Sequence, residues 1–400
     1  MTQSPLQIPV VRMKPKAEAR AIRHGFPWVF IDEIVTDRRT KALKAGSLAR
    51  LEDSDRRPLG LVAVNMGSKI ACRMLDRNPD ALIDSAWFEA KLLHALEHRE
   101  RLYDAPFYRL IHAESDGLPG VVIDRFGDAA VIQPNAAWAE VHIGVLAEAL
   151  AKVTGVTAIV KNAAGRSRVL EGLDEETMLL RGAIKGPIPV PMNGATYMAD
   201  LLGGQKTGLF FDQRPNHAFV QRLCKGARVL DVFSHVGGFS LAALAGDAKT
   251  ALAVDSSSPA LKLAQAGADA MGLPTRFETH KADAFSAMEK LAGEGALFDV
   301  VVCDPPAFAP GKHALKAGLR AYERVARLAA PLVAEGGYLG LCSCSHAVDL
   351  ASFRNASARG IGRSGRRGVQ IYSGGAGADH PLLPQLAQSG YLKALFFRLD

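Results

Sequence analysis

Leu230-Asp231-Val232-Phe233-Ser234-His235-Val236-Gly237-Gly238-Phe239 is the stretch from which the rest of the chain can be read. An apolar run breaks at a loop holding two glycines and then resumes, the pattern of a strand feeding a helix. Gly237 and Gly238 there let the backbone approach a ligand closely. Outward from this run, strands are expected at 228–232, 250–255, 275–280, 299–303, 338–342, 369–372 and 392–398, and helices at 239–245, 259–271 and 315–332. Strands alternating with helices build an α/β domain, a parallel sheet covered on both faces. The last two strands lie close together in sequence and suit an antiparallel edge.

Ligands in such a sheet bind outside the carboxyl ends of the strands. The second strand ends in Asp255, an acid placed to grip ribose hydroxyls. After the third, Lys281-Ala282-Asp283-Ala284-Phe285 suits the border of an adenine. The first loop lacks the G-x-G-x-x-G spacing that cradles a pyrophosphate. That shifts the expected cofactor from a nicotinamide dinucleotide to S-adenosyl-L-methionine. Asp231, Phe233, Ser234, Gly237, Gly238, Asp255, Asp283 and Ala284 are the candidate contacts.

The fourth strand runs into Asp304-Pro305-Pro306-Ala307-Phe308. Two prolines fix the backbone so that Asp304 is aimed into the cleft, where it can hold a base edge while Phe308 stacks on the base. The fifth strand runs into Cys342-Ser343-Cys344-Ser345-His346. A thiol at this place suits carbon methylation of a pyrimidine: C5 of cytosine is a poor nucleophile until a thiolate adds to C6. Cys303 and Cys342, one step inside strands, read as buried hydrophobes, as do Cys72 and Cys224. The eleven histidines, His217 and His313 among them, form no metal-ligand spacing, so no metal is expected.

The 400 residues are too many for one domain, and 48% apolar with 22% charged residues excludes a disordered or fibrous chain. No apolar run is long enough to span a membrane, and the N-terminus lacks a signal-peptide core. Five irregularly spaced cysteines suit a reducing, cytoplasmic setting. The net charge of +7 divides unevenly, +6 over 1–80, −4 over 81–190 and +5 over 191–400. These segments are expected to be a small β-barrel, a small α+β linking domain that includes a helix at 139–153, and the α/β domain. The prolines at 187, 189 and 191 mark a linker. In the first segment, Arg23 and Trp28 lie in a basic stretch with aromatics, suited to phosphate and base contacts.

Several motifs then resemble one family. They are residues 117–127 (Gly-Leu-Pro-Gly-Val-Val-Ile-Asp-Arg-Phe-Gly), 203–214 (Gly-Gly-Gln-Lys-Thr-Gly-Leu-Phe-Phe-Asp-Gln-Arg), 233–239, 304–308, 342–345 and 378–381 (Ala-Asp-His-Pro). In this order they are similar to bacterial PUA-domain-containing, class I S-adenosylmethionine-dependent methyltransferases that make 5-methylcytidine in 23S ribosomal RNA. The resemblance implies an N-terminal PUA-like RNA-binding domain and a C-terminal Rossmann-like methyltransferase domain. It implies Cys344 as nucleophile, Asp304 with Pro305, Pro306 and Phe308 at the base, Asp255 at the ribose and Asp283 at the adenine. It also implies a Gln-Lys-Thr-Gly hairpin, up to Asp212 and Arg214, over the cofactor. Two features depart from it: Ala307 stands where the family commonly has Lys, and 360–377 is rich in Gly and Arg, expected as a flexible RNA-touching loop.

The competing readings are a guanine-N methyltransferase on the same fold, a non-catalytic RNA-binding assembly factor and, more distantly, a nicotinamide-dependent oxidoreductase. Oligomeric state is open, a homodimer included. If the basic segments meet RNA phosphates, affinity for RNA is expected to fall at least about tenfold between ~50 and ~200 mM salt in a filter-binding titration. A flat salt response would remove this use of the charge.

Overall fold

In the computed structural model, which describes residues 8–203 and 208–400, the run around Leu230 opens a seven-stranded sheet. Its strands are β1 (Arg228–Val232), β2 (Thr250–Asp255), β3 (Phe277–Lys281), β4 (Phe298–Cys303), β5 (Val333–Ser343), β6 (Gly368–Gly374) and β7 (Lys393–Leu399). They lie in the order β3-β2-β1-β4-β5-β7-β6. The pairs from β3 to β5 are parallel, and β7 runs antiparallel between β5 and β6. The expected parallel sheet with an antiparallel edge is therefore present. Its helices are α1 (Arg214–Gln221), α2 (Gly238–Ala245), α3 (Ser258–Ala270), α4 (Ala284–Gly293), α5 (Leu315–Ala329) and α6 (Leu350–Arg363). Three start on side-chain caps directly behind the strand ends: Ser257, Asp283 and Asp349 each accept a backbone N–H of their helix's first turn. The caps stop each strand within a few residues, so the acids that follow the strands stay at the sheet's carboxyl edge.

The core of this unit packs Leu230, Val232, Val254, Val301 and Leu339 of the strands against Met288 of α4, Tyr322 and Val325 of α5 and Phe353 of α6. The proline run expected as a linker is a strand. Ile188–Met192 pairs antiparallel with Ala195–Ala199 in a two-stranded ribbon. Pro189 and Pro191 alternate along it, so their missing donors fall on one side, as an edge strand allows. The Gly- and Arg-rich tail is not a loop either. Residues 360–363 end α6 and 368–374 form β6. Arg359 and Arg363 both pair with the Glu323 carboxylate, and Arg366 donates to the carbonyls of Val333 (2.6 Å) and Asp400 (2.7 Å). These arginines hold the sheet's far edge together. Their charge pattern suggested a solvated loop because partners more than 30 residues away are invisible locally.

The chain divides into two compact units, residues 186–380 with 390–400 and residues 1–185 with 381–389. The second of these holds a five-stranded sheet in the order Val10–Arg12, Ser47–Glu52, Pro58–Val64, Ile70–Asp76, Trp28–Phe30. Another five-stranded sheet runs Met178–Arg181, Ala158–Lys161, Ala129–Pro134, Val121–Phe126, Phe107–His112, with helix Ser85–Glu100 against it. The helix expected at 139–153 is two, Ala137–Val141 and Ile143–Thr154, broken at His142. A buried polar knot ties the segments 1–80 and 81–190 into one unit. Glu171 accepts from Asn65 (2.9 Å), Ser68 (2.9 Å) and Arg73 (3.1 Å), and Arg73 also donates to Glu114 (3.0 Å).

Asp231, within β1, is fully buried, and its Oδ2 accepts the backbone N–H groups of Phe239 (3.1 Å) and Ser240 (2.8 Å) at the start of α2. Burial raises its pKa to about 6 despite those donors. Asp231 thus takes up a proton on folding between its ordinary 3.8 and about 6. The resulting cost is absent below the lower value, grows as pH rises through the window, and reaches about 3 kcal/mol above it. The stability of Asp231→Asn relative to the parent is therefore expected to rise by up to that amount between about pH 4 and pH 7 in denaturant titrations. A difference that does not change with pH would show that Asp231 does not titrate there.

Candidate active site

The loop after β1 is built from left-handed backbone. Phe233 (φ 64°), His235 (φ 50°) and Gly237 (φ 81°) alternate with ordinary residues. Two non-glycine residues in this region cost of order 1–3 kcal/mol each, a strain that tends to gather at functional sites. The surroundings impose it. Ser234 donates its N–H to Val254 (3.1 Å) and its carbonyl accepts from Gly237 and Gly238. Asp255 accepts the N–H of His235 through Oδ2 (2.8 Å) and of Ser257 through Oδ1 (2.8 Å). A Cβ on Gly238 would stand 2.9 Å from His217 Nε2, so this glycine answers a close approach. His217, stacked beside Tyr197 and edge-on to Phe239, is pushed down to about 3 by burial and stays neutral.

Asp231 explains why the loop does not take a phosphate. The first N–H groups of α2, where a pyrophosphate would sit, are already bound by its carboxylate. Asp231 is accordingly a brace beneath the loop through Oδ2, while its Oδ1 has no partner among the described residues. Ala284, also expected at the cofactor, has its side chain in the core. Asp283 is exposed, and its pKa is lowered chiefly by the backbone N–H of Ser286 that it caps. Counting Asp304, an acid stands at or just past the carboxyl end of each of β1 to β4. That edge suits a cationic sulfonium nucleoside and repels a pyrophosphate. Buried polar atoms left without a partner among the described residues gather here too: Asp212 Oδ1, His217 Nδ1, Asp231 Oδ1 and Ser234 Oγ. Such atoms are the mark of a site that a polar ligand completes.

The side expected to meet the base takes shape at β4 and β5. These neighbours are in register with Cys303 opposite Leu341, so Asp304 and Cys344 emerge at the same end of adjacent strands. Asp304 Oδ2 accepts from Gln213 Nε2 (2.9 Å), and Gln213 in turn accepts from Asn216 (2.6 Å). Gln213 was missed in the sequence, although it lies inside the Asp-Gln-Arg motif. Asp212 is buried and accepts from the Tyr391 hydroxyl (2.5 Å), while Arg214 lies over the Phe211 ring at 5.8 Å. Phe210 packs edge-on against His235 at 4.9 Å, which brings this segment to the strained loop. The Gly204-Gln205-Lys206-Thr207 part of the expected hairpin lies outside the described residues.

Pro305 is buried and Pro306 exposed. Phe308 is not a free stacking ring: it packs on Tyr322 (5.0 Å) and sits 6.3–6.5 Å from Phe285 and Phe233. It anchors the loop, leaving Pro306 and Ala307 facing outward. Ser345, fully buried, clamps the same loop from β5, accepting from Ala309 N–H (3.0 Å) and sharing a hydrogen bond with the Tyr322 hydroxyl (2.7 Å).

Of the five cysteines, Cys344 alone is not buried. Burial pushes the thiols of Cys72 and Cys224 up to about 12 and raises those of Cys303 and Cys342 as well, which holds them inert. In the other unit, the expected RNA contacts are partly engaged within the fold. Trp28 donates its indole N–H to Glu114 (2.8 Å) beneath the Arg73 guanidinium, 5.8 Å over the ring, and Arg23 pairs with Asp53. Phe30, 37% exposed, is the ring of that cluster open to solvent. Sequence reading could not separate these aromatics because the partner of Trp28 is 86 residues away.

The comparisons agree with this architecture. Residues 144–398 match the model of an S-adenosylmethionine-dependent methyltransferase family, and residues 11–77 match a PUA-like domain. The chain is 32% identical over 387 residues to ribosomal RNA large subunit methyltransferase I of Cronobacter sakazakii, covering 94% of this chain and 96% of that one. It is 33% identical over 398 residues to a ribosomal RNA large subunit methyltransferase of Deinococcus radiodurans, covering 96% of each. Among solved structures, a SAM-dependent methyltransferase from Streptococcus mutans has the same fold, with a TM-score of 0.82 at 18% identity, covering 98% of this chain and all of the other. The chain thus belongs to the family of PUA-domain, S-adenosylmethionine-dependent methyltransferases that includes the ribosomal RNA large subunit methyltransferases I.

Proposed function

We propose that this enzyme methylates C5 of a cytidine in large-subunit ribosomal RNA, with Cys344 as the nucleophile. The substrate class rests on the named relatives at 32–33% identity over nearly the whole chain. The carbon specificity rests on one observation: the cysteine that is not buried emerges beside Asp304 at the end of adjacent strands. A nitrogen methyltransferase needs no thiol there, because an amine or ring nitrogen already carries the attacking pair.

The residues divide the work as follows. Asp255, held by two backbone N–H groups with its carboxylate partly exposed, binds the ribose hydroxyls of the cofactor, and Asp283 meets the adenine edge. Pro306 and Ala307 flank the base, and Asp304, fixed by Gln213, holds its N3 edge. Cys344 Sγ donates its electron pair to C6 of the cytosine, and the C5–C6 π pair shifts so that C5 becomes enamine-like. Bound S-adenosyl-L-methionine would supply an electrophilic methyl group; as C5 takes it, the pair of the broken S–CH3 bond would stay on the cofactor's sulfur, which becomes a neutral thioether. The C5 proton then passes to a base, the C6–S bond breaks, and Sγ leaves with its pair, so the thiolate is restored. Both C5 and C6 must be reached, which requires a cytidine that is unpaired or flipped out.

Cys344→Ala is expected to reduce methyl transfer to background while cofactor affinity, read by calorimetry, stays within about twofold of the parent. Mass spectrometry of nucleosides from the treated RNA is expected to show 5-methylcytidine; a methylated guanine, or a fully active Cys344→Ala, would overturn the reading. Asp255→Ala removes both the ribose acceptor and the tie to His235. It is expected to weaken cofactor binding by about 10- to 100-fold, in proportion to the loss of charge-assisted hydrogen bonds. An unchanged dissociation constant would place the ribose elsewhere.

A further inference from the structure

Lys393 opens β7 inside an otherwise apolar run and is 8% exposed. In register it lies opposite Ser343, the residue before Cys344. Its ammonium donates to the carbonyls of Ser345 (2.7 Å) and Val348 (2.8 Å), both in the turn that carries Cys344 away from β5. A buried cation without a paired carboxylate in hydrogen-bond contact is costly, and strands bury such a group mainly where its charge has a use. Burial pulls this lysine down to about 8, while the neighbouring Cys344 and Asp349 oppose that shift.

We infer that Lys393 is a positioning residue for Cys344: it braces the turn after the thiol through two carbonyls and sets a positive charge beside the sulfur, favouring the thiolate. The inference rests on the assignment of Cys344 as nucleophile. Other titratable groups surround the turn. Asp349 caps α6, Tyr322 reaches in from α5 with its hydroxyl on Ser345, Asp304 follows β4, and His346 packs against Tyr391 at 5.3 Å. Tyr322 and Asp349 do not offer the sulfur a positive charge, and His346 is exposed. Lys393 is the buried cation of the set. An ammonium next to a thiol raises the thiolate fraction near neutral pH, as in cysteines placed beside lysine elsewhere in proteins.

The test is the pH dependence of iodoacetamide alkylation at Cys344, followed by peptide mass spectrometry, on the full chain and its variants. The parent's midpoint is expected at least about one pH unit below that of a free peptide spanning residues 343–349. Lys393→Met is expected to move the midpoint up by about the same amount and to slow alkylation at neutral pH about tenfold, whereas Lys393→Arg retains most of the parental rate. Methyl transfer should follow the same order, its acid limb moving with the thiol, with cofactor affinity unchanged. A parent midpoint equal to the peptide's would overturn the inference even if Lys393→Met failed to fold, and so would a folded Lys393→Met with the parental profile. The alkylation readout does not depend on catalysis. Activity surviving in Cys344→Ala would overturn the nucleophile assignment, whereas an altered Lys393→Met profile would still establish the lysine–thiol pairing.

Discussion

A carboxylate with no access to water, bound to the first N–H groups of a helix, is the constraint on which the cofactor face depends. Asp231 occupies the place a phosphate would take at α2, and in doing so it fixes where that helix starts. The loop between β1 and the helix must then close in five residues, 233–237. It does so with left-handed backbone at positions 233, 235 and 237. The strain is stored because Asp255, Ser234 and the Val254 carbonyl hold the loop from β2. One buried acid thus selects both the shape of the loop and the charge class of ligand it accepts.

The reacting side is organised on a different basis. Asp304 and Cys344 are brought together by strand register, then held by side chains from distant segments. Gln213 fixes the acid, Ser345 and Tyr322 clamp the loop after it, and Lys393 braces the turn after the thiol. None of these clamps carries the chemistry proposed for Cys344. They keep Asp304 and Cys344 in place across adjacent strands, where small displacements would be costly to the chemistry proposed for them. Phe308 belongs with them, since its ring is packed among Phe233, Phe285 and Tyr322.

Much of the α/β unit was legible because its signals are local. Apolar runs of strand length and the Gly237-Gly238 pair place each of the seven strands and the acids at their ends. The errors share a cause. Three prolines read as a linker because a two-stranded ribbon looks like any proline-rich segment until its partner strand is seen. Arg359, Arg363 and Arg366 read as an open loop because Glu323, Val333 and Asp400 lie far along the chain. That Asp231 braces α2 was not legible, because burial is not written in an Asp at a strand end.

The sequence alone determined the order of the seven strands and of three of the six helices, the acids at the sheet edge, and the difference between Cys344, just past a strand, and the thiols within strands. These follow from periodicity and chain punctuation, which act over a few residues. Tertiary structure decided which partner each side chain has: Asp231 beneath α2, Phe308 among Phe233, Phe285 and Tyr322, Trp28 donating to Glu114, and Lys393 against the turn of Cys344. Burial and hydrogen-bond partnership are properties of contacts between distant segments, and no local pattern specifies them.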